Sequence, residues 1–189
     1  GKFAILILLF IALYRIADVV MGVMANIFYL EKGYKISEIA TFSKFFGVFA
    51  TIFGGFIGGY CSLKFGTMKS LFFGAFIAAA SNLLFALLAV SPISIHFLIT
   101  VITADNISSG FAGAAFVIYL SGLTSIKFTA TQYALFSSIM LFLPKLIAGY
   151  AGSWVDIMGY PYFFTTTAIL GLPVLFLIVW IGKVAPIKK

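Results

Sequence analysis

Five ionisable side chains sit inside long apolar stretches of this 189-residue chain: Arg15, Asp18, Lys44, Asp105 and Lys145. A charge at the centre of a membrane helix costs ~2.5–3.5 kcal/mol even on the lenient insertion scale, so such residues are retained mainly where they line a cavity or meet partners. Arg15, Asp18, Gly22, Asn26 and Tyr29 recur at spacings of three and four, which places them along one helix face. Arg15 and Asp18 can form a structural ion pair there or face a shared cavity. Further on, Asp105, Ser109 and Gly113 repeat the pattern, with Asn106 and Gly110 on the adjacent face. Hydrocarbon favours the protonated form of a carboxylic acid, so Asp18 and Asp105 are candidate proton carriers. Asp105 is the stronger of the two, because Arg15 stands beside Asp18. The cations Arg15, Lys44 and Lys145, with the amides of Asn26, Asn106 and Gln132, are candidate contacts for an anionic solute. Lys44 has an alternative role, since it is close enough to a span end to snorkel toward headgroups.

Six apolar segments carry these residues, at about 3–30, 39–62, 70–90, 95–120, 130–152 and 162–182. At about 1.5 Å per residue a helix needs roughly 20 apolar residues to cross a bilayer, and each segment meets that length. The loops at 31–38, 63–69, 91–94, 121–129 and 153–161 are short, and none could form a domain. With 63% hydrophobic residues, 9% charged residues and a mean hydropathy of +1.19, the composition excludes a soluble domain. The predicted fold class is an all-α membrane protein, a single six-helix bundle over 1–189. Spans one and four carry acids, two and five carry lysines, and three and six are free of charge in their interiors, with Ser81, Asn82 and Thr165–Thr167 as mild polar exceptions. That rhythm predicts one three-helix unit used twice, about 1–90 and 91–189, with spans three and six facing lipid.

The second span holds a stripe of small residues in which Gly54/Gly58 and Gly55/Gly59 allow two backbones to approach closely. In the fifth, Pro144 removes a backbone donor and is expected to bend the helix. The net charge of +7 comes mostly from single lysines in short loops and tails, a pattern that suits lipid headgroups and not nucleic acid. If both termini are cytoplasmic, Lys2, Lys64, Lys69, Lys127, Lys183, Lys188 and Lys189 lie inside, against Lys32 and Lys35 outside, and the positive-inside rule favours that orientation. The single cysteine, Cys61, is read as a packing residue, and no metal or other cofactor is expected. The chain opens Gly-Lys-Phe, and its first apolar run is too long for a signal-peptide core. It is read as a true span of a truncated or subcloned chain.

The loop from Gly59 through Gly66 to Lys69 resembles the major-facilitator signature Gly-x-x-x-Asp-Arg-x-Gly-Arg-Lys, with Leu63 in place of the aspartate and Thr67 in place of an arginine. Four longer segments resemble the muropeptide permease family, AmpG. Leu13-Tyr14-Arg15-Ile16-Ala17-Asp18 is similar to its Leu-Tyr-Lys-x-x-Asp at the start of the seventh helix. Ser43 through Gly47, followed by Ala50 through Gly54, resembles the eighth. Asp105-Asn106 with Gly110 through Phe116 resembles the Glu-Asn and small-residue run of the tenth, with aspartate here for the glutamate. Phe128 through Leu135 resembles the start of the eleventh, the most characteristic stretch. The resemblance covers nearly the whole chain and implies the C-terminal half, helices 7 to 12, of a major-facilitator transporter. It further implies proton-coupled uptake of anhydromuramyl cell-wall fragments across a bacterial inner membrane, with the N-terminal six-helix half as the missing partner. Acetyl-CoA transporters look similar, so another anionic solute stays open.

Two other classes compete. An intramembrane enzyme needs a nucleophile with a base at membrane depth; the only histidine, His96, falls at the outer edge of the fourth span, with no Ser/His/Asp arrangement around it. A non-transporting fragment differs from a working half only in flux.

Overall fold

The computed structural model describes residues 3–124 and 129–184. Lys2, Lys127, Lys188 and Lys189, which carry much of the expected charge asymmetry, lie outside the described residues, as does Phe128 of the eleventh-helix stretch. Among the described residues six helices are long and apolar enough to cross a membrane: Ala4–Lys32, Ile36–Phe65, Thr67–Val90, Ile95–Leu123, Ala130–Ala148 and Ala151–Val184. The last is too long for one crossing, and it contains a reversal. Gly159 has φ 78° and ψ 164°, a backbone that glycine adopts without strain. Thr166 Oγ1 lies 3.8 Å from Met158 Sδ, eight residues back, a separation of about 12 Å in a continuous helix. The chain therefore turns at Gly159. Residues 151–158 extend span 5 beyond a short break at Gly149 and Tyr150, and span 6 runs over 161–184 with a second break at Gly171.

This corrects the expected loop at 153–161, most of which is helical. Ser153, Asp156 and Gly159 read as loop by composition, but Asp156 is exposed beyond the apolar core, where a helix tolerates charge. Span 5 also continues through Pro144 as helix Thr129–Ala148, and the interruption comes at Gly149, one turn later.

Spans 2 and 4 pack along most of their lengths, span 3 fills the space between spans 4 and 6, and span 1 lies against spans 5 and 6. Half of the most apolar window of span 3 is buried against 6% of that of span 5, so span 3 is a central element with one lipid-side face, and span 5 stands at the rim. Two aromatic clusters hold the ends. Phe10, Tyr14, Phe116 and Tyr119 pack together at one, with Tyr14 and Phe116 stacked at 4.4 Å. Phe28, Tyr29, Phe85, Tyr160 and Phe164 pack at the other. Beyond that second cluster Lys32 Nζ donates to the carbonyls of Ala89 and Ser91 at 2.9 and 2.6 Å, and Tyr160 donates to Glu31 Oε2 at 2.8 Å, tying the end of span 1 to spans 3 and 6.

Candidate functional site

At the first aromatic cluster, where Tyr14 packs, span 1 is broken. Helix Ala4–Leu13 stops, Tyr14 and Arg15 form a turn with Arg15 at φ −98° and ψ 10°, and helix Ile16–Lys32 begins. The buried Tyr14 hydroxyl lies 3.3 Å from the Leu71 carbonyl and 3.5 Å from that of Ala112, so the break is fixed to spans 3 and 4. Arg15 occupies the N-cap position of the second half-helix without a side-chain cap, and Asp18 lies in its first turn, where a negative charge is favoured by the helix dipole. The two side chains form an ion pair, 22% and 14% exposed. Ser109 of span 4 joins them: it accepts from Arg15 Nη2 at 3.1 Å and donates to Asp18 Oδ2 at 3.4 Å. A narrow cavity of about 10 Å³ borders the pair, lined by Tyr14, Ala78, Ala112 and Gly171 among others.

One turn before Ser109 stands the second carboxylate. Asp105 Oδ1 is 3.4 Å from the Ser81 hydroxyl of span 3, and Ser108 Oγ lies 3.2 Å from Ser81 Oγ and 2.8 Å from the Asp105 carbonyl. Asp105 is within electrostatic reach of Asp18 and Arg15. Spans 1, 3 and 4 thus gather two carboxylates, one guanidinium and three hydroxyls in mid-bundle. Beside them Asn82, 1% exposed, donates to the Ala17 carbonyl at 3.2 Å and to Thr167 Oγ1 at 3.3 Å. It ties the start of the second half-helix to span 6. Ser81 and Asn82 stood out in sequence only as adjacent polar residues in a charge-free span, which is the signal that marks them.

The other expected solute contacts fall elsewhere. Asn26 and Lys44 share a pocket of about 310 Å³ with Ser43, Ile36 and Ile39, between spans 1 and 2. Lys44 sits in a π-helical stretch, Ala40–Phe46, a geometry frequent at functional sites. Asn106 lies at the contact of spans 2 and 4, where its Oδ1 accepts from Thr51 at 3.0 Å and its Nδ2 donates to the Ile102 carbonyl at 2.8 Å. Gln132 is half-buried and Lys145 exposed, both on span 5. Tyr29 leaves the expected polar face: it is 3% exposed and stacked on Phe85, while Asn26 is exposed.

The glycines divide as sharply. A Cβ on Gly54 would come within 2.2 Å of the Ile107 carbonyl oxygen, one on Gly58 within 2.5 Å of that of Phe111, and one on Gly110 within 2.1 Å of that of Thr51. At Gly55 the nearest atom would be at an ordinary 3.8 Å, and at Gly59 nothing lies within 4 Å. Gly66 has φ 94° at the turn from span 2 to span 3. Among the described residues no group of three or more His, Cys, Asp or Glu could hold a metal ion.

This arrangement is one half of a major facilitator fold. It matches the xylose transporter XylE from E. coli, solved in an inward open conformation, with a TM-score of 0.64 over 98% of this chain and 53% of that one, at 18% identity. By sequence the chain is similar to proteins named as AmpG transporters. It is 36% identical over 182 residues to the Rickettsia felis protein named "Putative transporter AmpG 4", covering 96% of this chain and 44% of that protein. Over 172 residues it is 36% identical to an AmpG 1 protein of Rickettsia bellii, covering 91% of this chain and 42% of that protein. The chain spans less than half the length of these curated relatives. No family model matches it. Fold and sequence similarity together define a multi-pass membrane protein with one half of a major facilitator fold.

Proposed function

We propose that the chain is the C-terminal six-helix half of a proton-coupled permease that imports muropeptide-like anions across a bacterial inner membrane. The observation that carries this reading is a charge imbalance: Arg15 pairs with Asp18 and Ser109, while the carboxylate of Asp105, a turn before Ser109, has one hydroxyl partner, Ser81, and no cation in contact among the described residues. An isolated ion at this depth is costly, and uptake of a proton removes the cost. Asp105 is the proton site, and Asp18 takes part when Arg15 releases it. The pocket of Asn26 and Lys44 offers an ammonium and an amide to a solute carboxylate, and Arg15, Asn106, Gln132 and Lys145 complete the solute path as the bundle rocks.

Two three-helix units, 1–90 and 91–189, underlie that motion. Supporting this, Gly66 and Gly159, at the turns from span 2 to 3 and from span 5 to 6, share nearly the same backbone conformation, φ 94° and ψ 148° against φ 78° and ψ 164°. Both termini face the cytoplasm, and an N-terminal six-helix half supplies the opposite wall of the passage.

In the complete transporter Asp105→Asn is expected to abolish accumulation driven by an imposed pH gradient, and Lys44→Ala to raise the half-saturating concentration by about tenfold, the worth of one charge-assisted contact. Uptake of labelled anhydromuramyl peptide into vesicles measures both. Wild-type rates in both variants would refute the assigned roles.

A further inference from the structure

The end of the bundle where spans 2 and 3 meet holds a cavity of about 320 Å³, lined by Cys61, Phe65, Lys69, Ser70, Phe73 and Phe111. Ser70 on its wall is 3% exposed, and its hydroxyl finds no hydrogen-bond partner among the described residues. That sets it apart from Thr51, Ser62, Ser91, Ser121, Ser138 and Thr165, each of which donates to the carbonyl four residues back. A buried hydroxyl left unpaired is unfavourable, so Ser70 is equipped to meet something that enters. It stands with Lys69 at the start of helix Thr67–Val90, whose first turn contains no acid. Free N–H groups and the helix dipole favour an anion there.

The rest of the cavity is apolar. Phe73 and Phe111 meet edge to face at 5.5 Å, and Phe65 closes the rim with the Lys64 ammonium 5.4 Å from its centroid. Lys183 belongs to the same end, since a Cβ on neighbouring Gly182 would lie 3.7 Å from Met68 Cε. No carboxylate answers these cations. Of the five acids, Asp18 and Asp105 lie within the spans, and Glu31, Glu38 and Asp156 lie toward the opposite end, where Glu31 meets Tyr160. Lys64 and Lys69 are exposed, free to meet an anion from outside the described residues.

We propose that this cavity binds the headgroup of an anionic phospholipid. Its phosphate accepts from Lys69, from the Ser70 hydroxyl and from the first amides of span 3, while the adjoining acyl segment covers Phe73 and Phe111. An inorganic phosphate would meet the same donors and leave the aromatic wall bare. The site depends on the chain lying in a bilayer and is independent of the transport reading.

Cys61, the only cysteine of the chain, lies on the wall and reports occupancy. Its modification by N-ethylmaleimide, followed by mass spectrometry of the full-length protein, is compared in vesicles of dioleoylphosphatidylcholine alone, with added dioleoylphosphatidylglycerol, and with added inorganic phosphate. The expected result is labelling slowed about fivefold by phosphatidylglycerol, the effect of lipid at a few times its dissociation constant, and unchanged by phosphate. Lys69→Gln is expected to abolish the protection and Ser70→Ala to weaken it. Leu63→Cys, 83% exposed nearby, reports the general effect of a charged surface and should change little. Equal labelling of Cys61 in both lipids, equal slowing at the Leu63→Cys site, or protection that survives Lys69→Gln would overturn the proposal. Protection by phosphate as strong as by lipid would assign the site to a free anion instead.

Discussion

Arg15 is shared between a carboxylate and a hydroxyl, and that sharing sets what its removal does. Truncating one member of a buried ion pair leaves the other charge uncompensated at ~3–5 kcal/mol, whereas removing both is far milder. With side chains 22% and 14% exposed, the cost here lies toward the lower end. Arg15→Ala is therefore expected to lower the unfolding midpoint of the protein more than the double substitution Arg15→Ala/Asp18→Ala does. A thermal melt in detergent measures this, with Asp18→Ala as the other single variant, and a double loss equal to the sum of the two single losses would mean that the pair contributes no coupling. At this scale the charged members of the site were legible, because an ion in hydrocarbon announces a reason for being there. Their hydroxyl partners were less so. Ser109 shares a helix face with Asp105, but nothing in sequence sets Ser81 against Asp105 or Asn82 against Ala17, since those contacts join different spans.

Among the elements, the contact of spans 2 and 4 depends on glycine. A Cβ at Gly54 or Gly110 would meet backbone of the facing helix, which cannot yield as a flexible side chain can. Gly54→Ala and Gly110→Ala are each expected to destabilise by ~1–3 kcal/mol, the usual cost of overpacking. Gly59→Ala, with open space, is expected to change stability by less than about 0.5 kcal/mol. Comparable losses in all three, measured by thermal unfolding, would refute the packing. The small-residue stripe was plain in the sequence, but both Gly54/Gly58 and Gly55/Gly59 satisfy its spacing. Only the rotation of span 2 against span 4 decides which pair touches. The boundary between spans 5 and 6 shows the opposite difficulty, because residues near a headgroup follow the rules of water and Asp156 therefore looks like loop.

At the scale of the molecule, large apolar side chains such as Phe45, Phe49, Ile52, Phe53 and Phe56 lie on the surface, as do Asn26 and Lys44. On our proposal the partner half supplies the opposing wall. Proteoliposomes containing this chain alone are then expected to show no gradient-driven uptake above protein-free vesicles, and those containing the chain with a six-helix N-terminal half to show it. Equal flux with and without that half would refute the requirement.

Composition and hydropathy by themselves determined that this is a six-span membrane protein, and where its ions lie along each span. Both follow from the cost of placing polar atoms in hydrocarbon, which is paid residue by residue and is visible in a single strand of text. Only the tertiary structure decided that Arg15 holds Asp18 while Asp105 holds Ser81, that Lys44 and Asn26 occupy a separate pocket, and that the chain turns at Gly159. Those outcomes depend on how helices far apart in sequence rotate against each other, and packing sets that rotation.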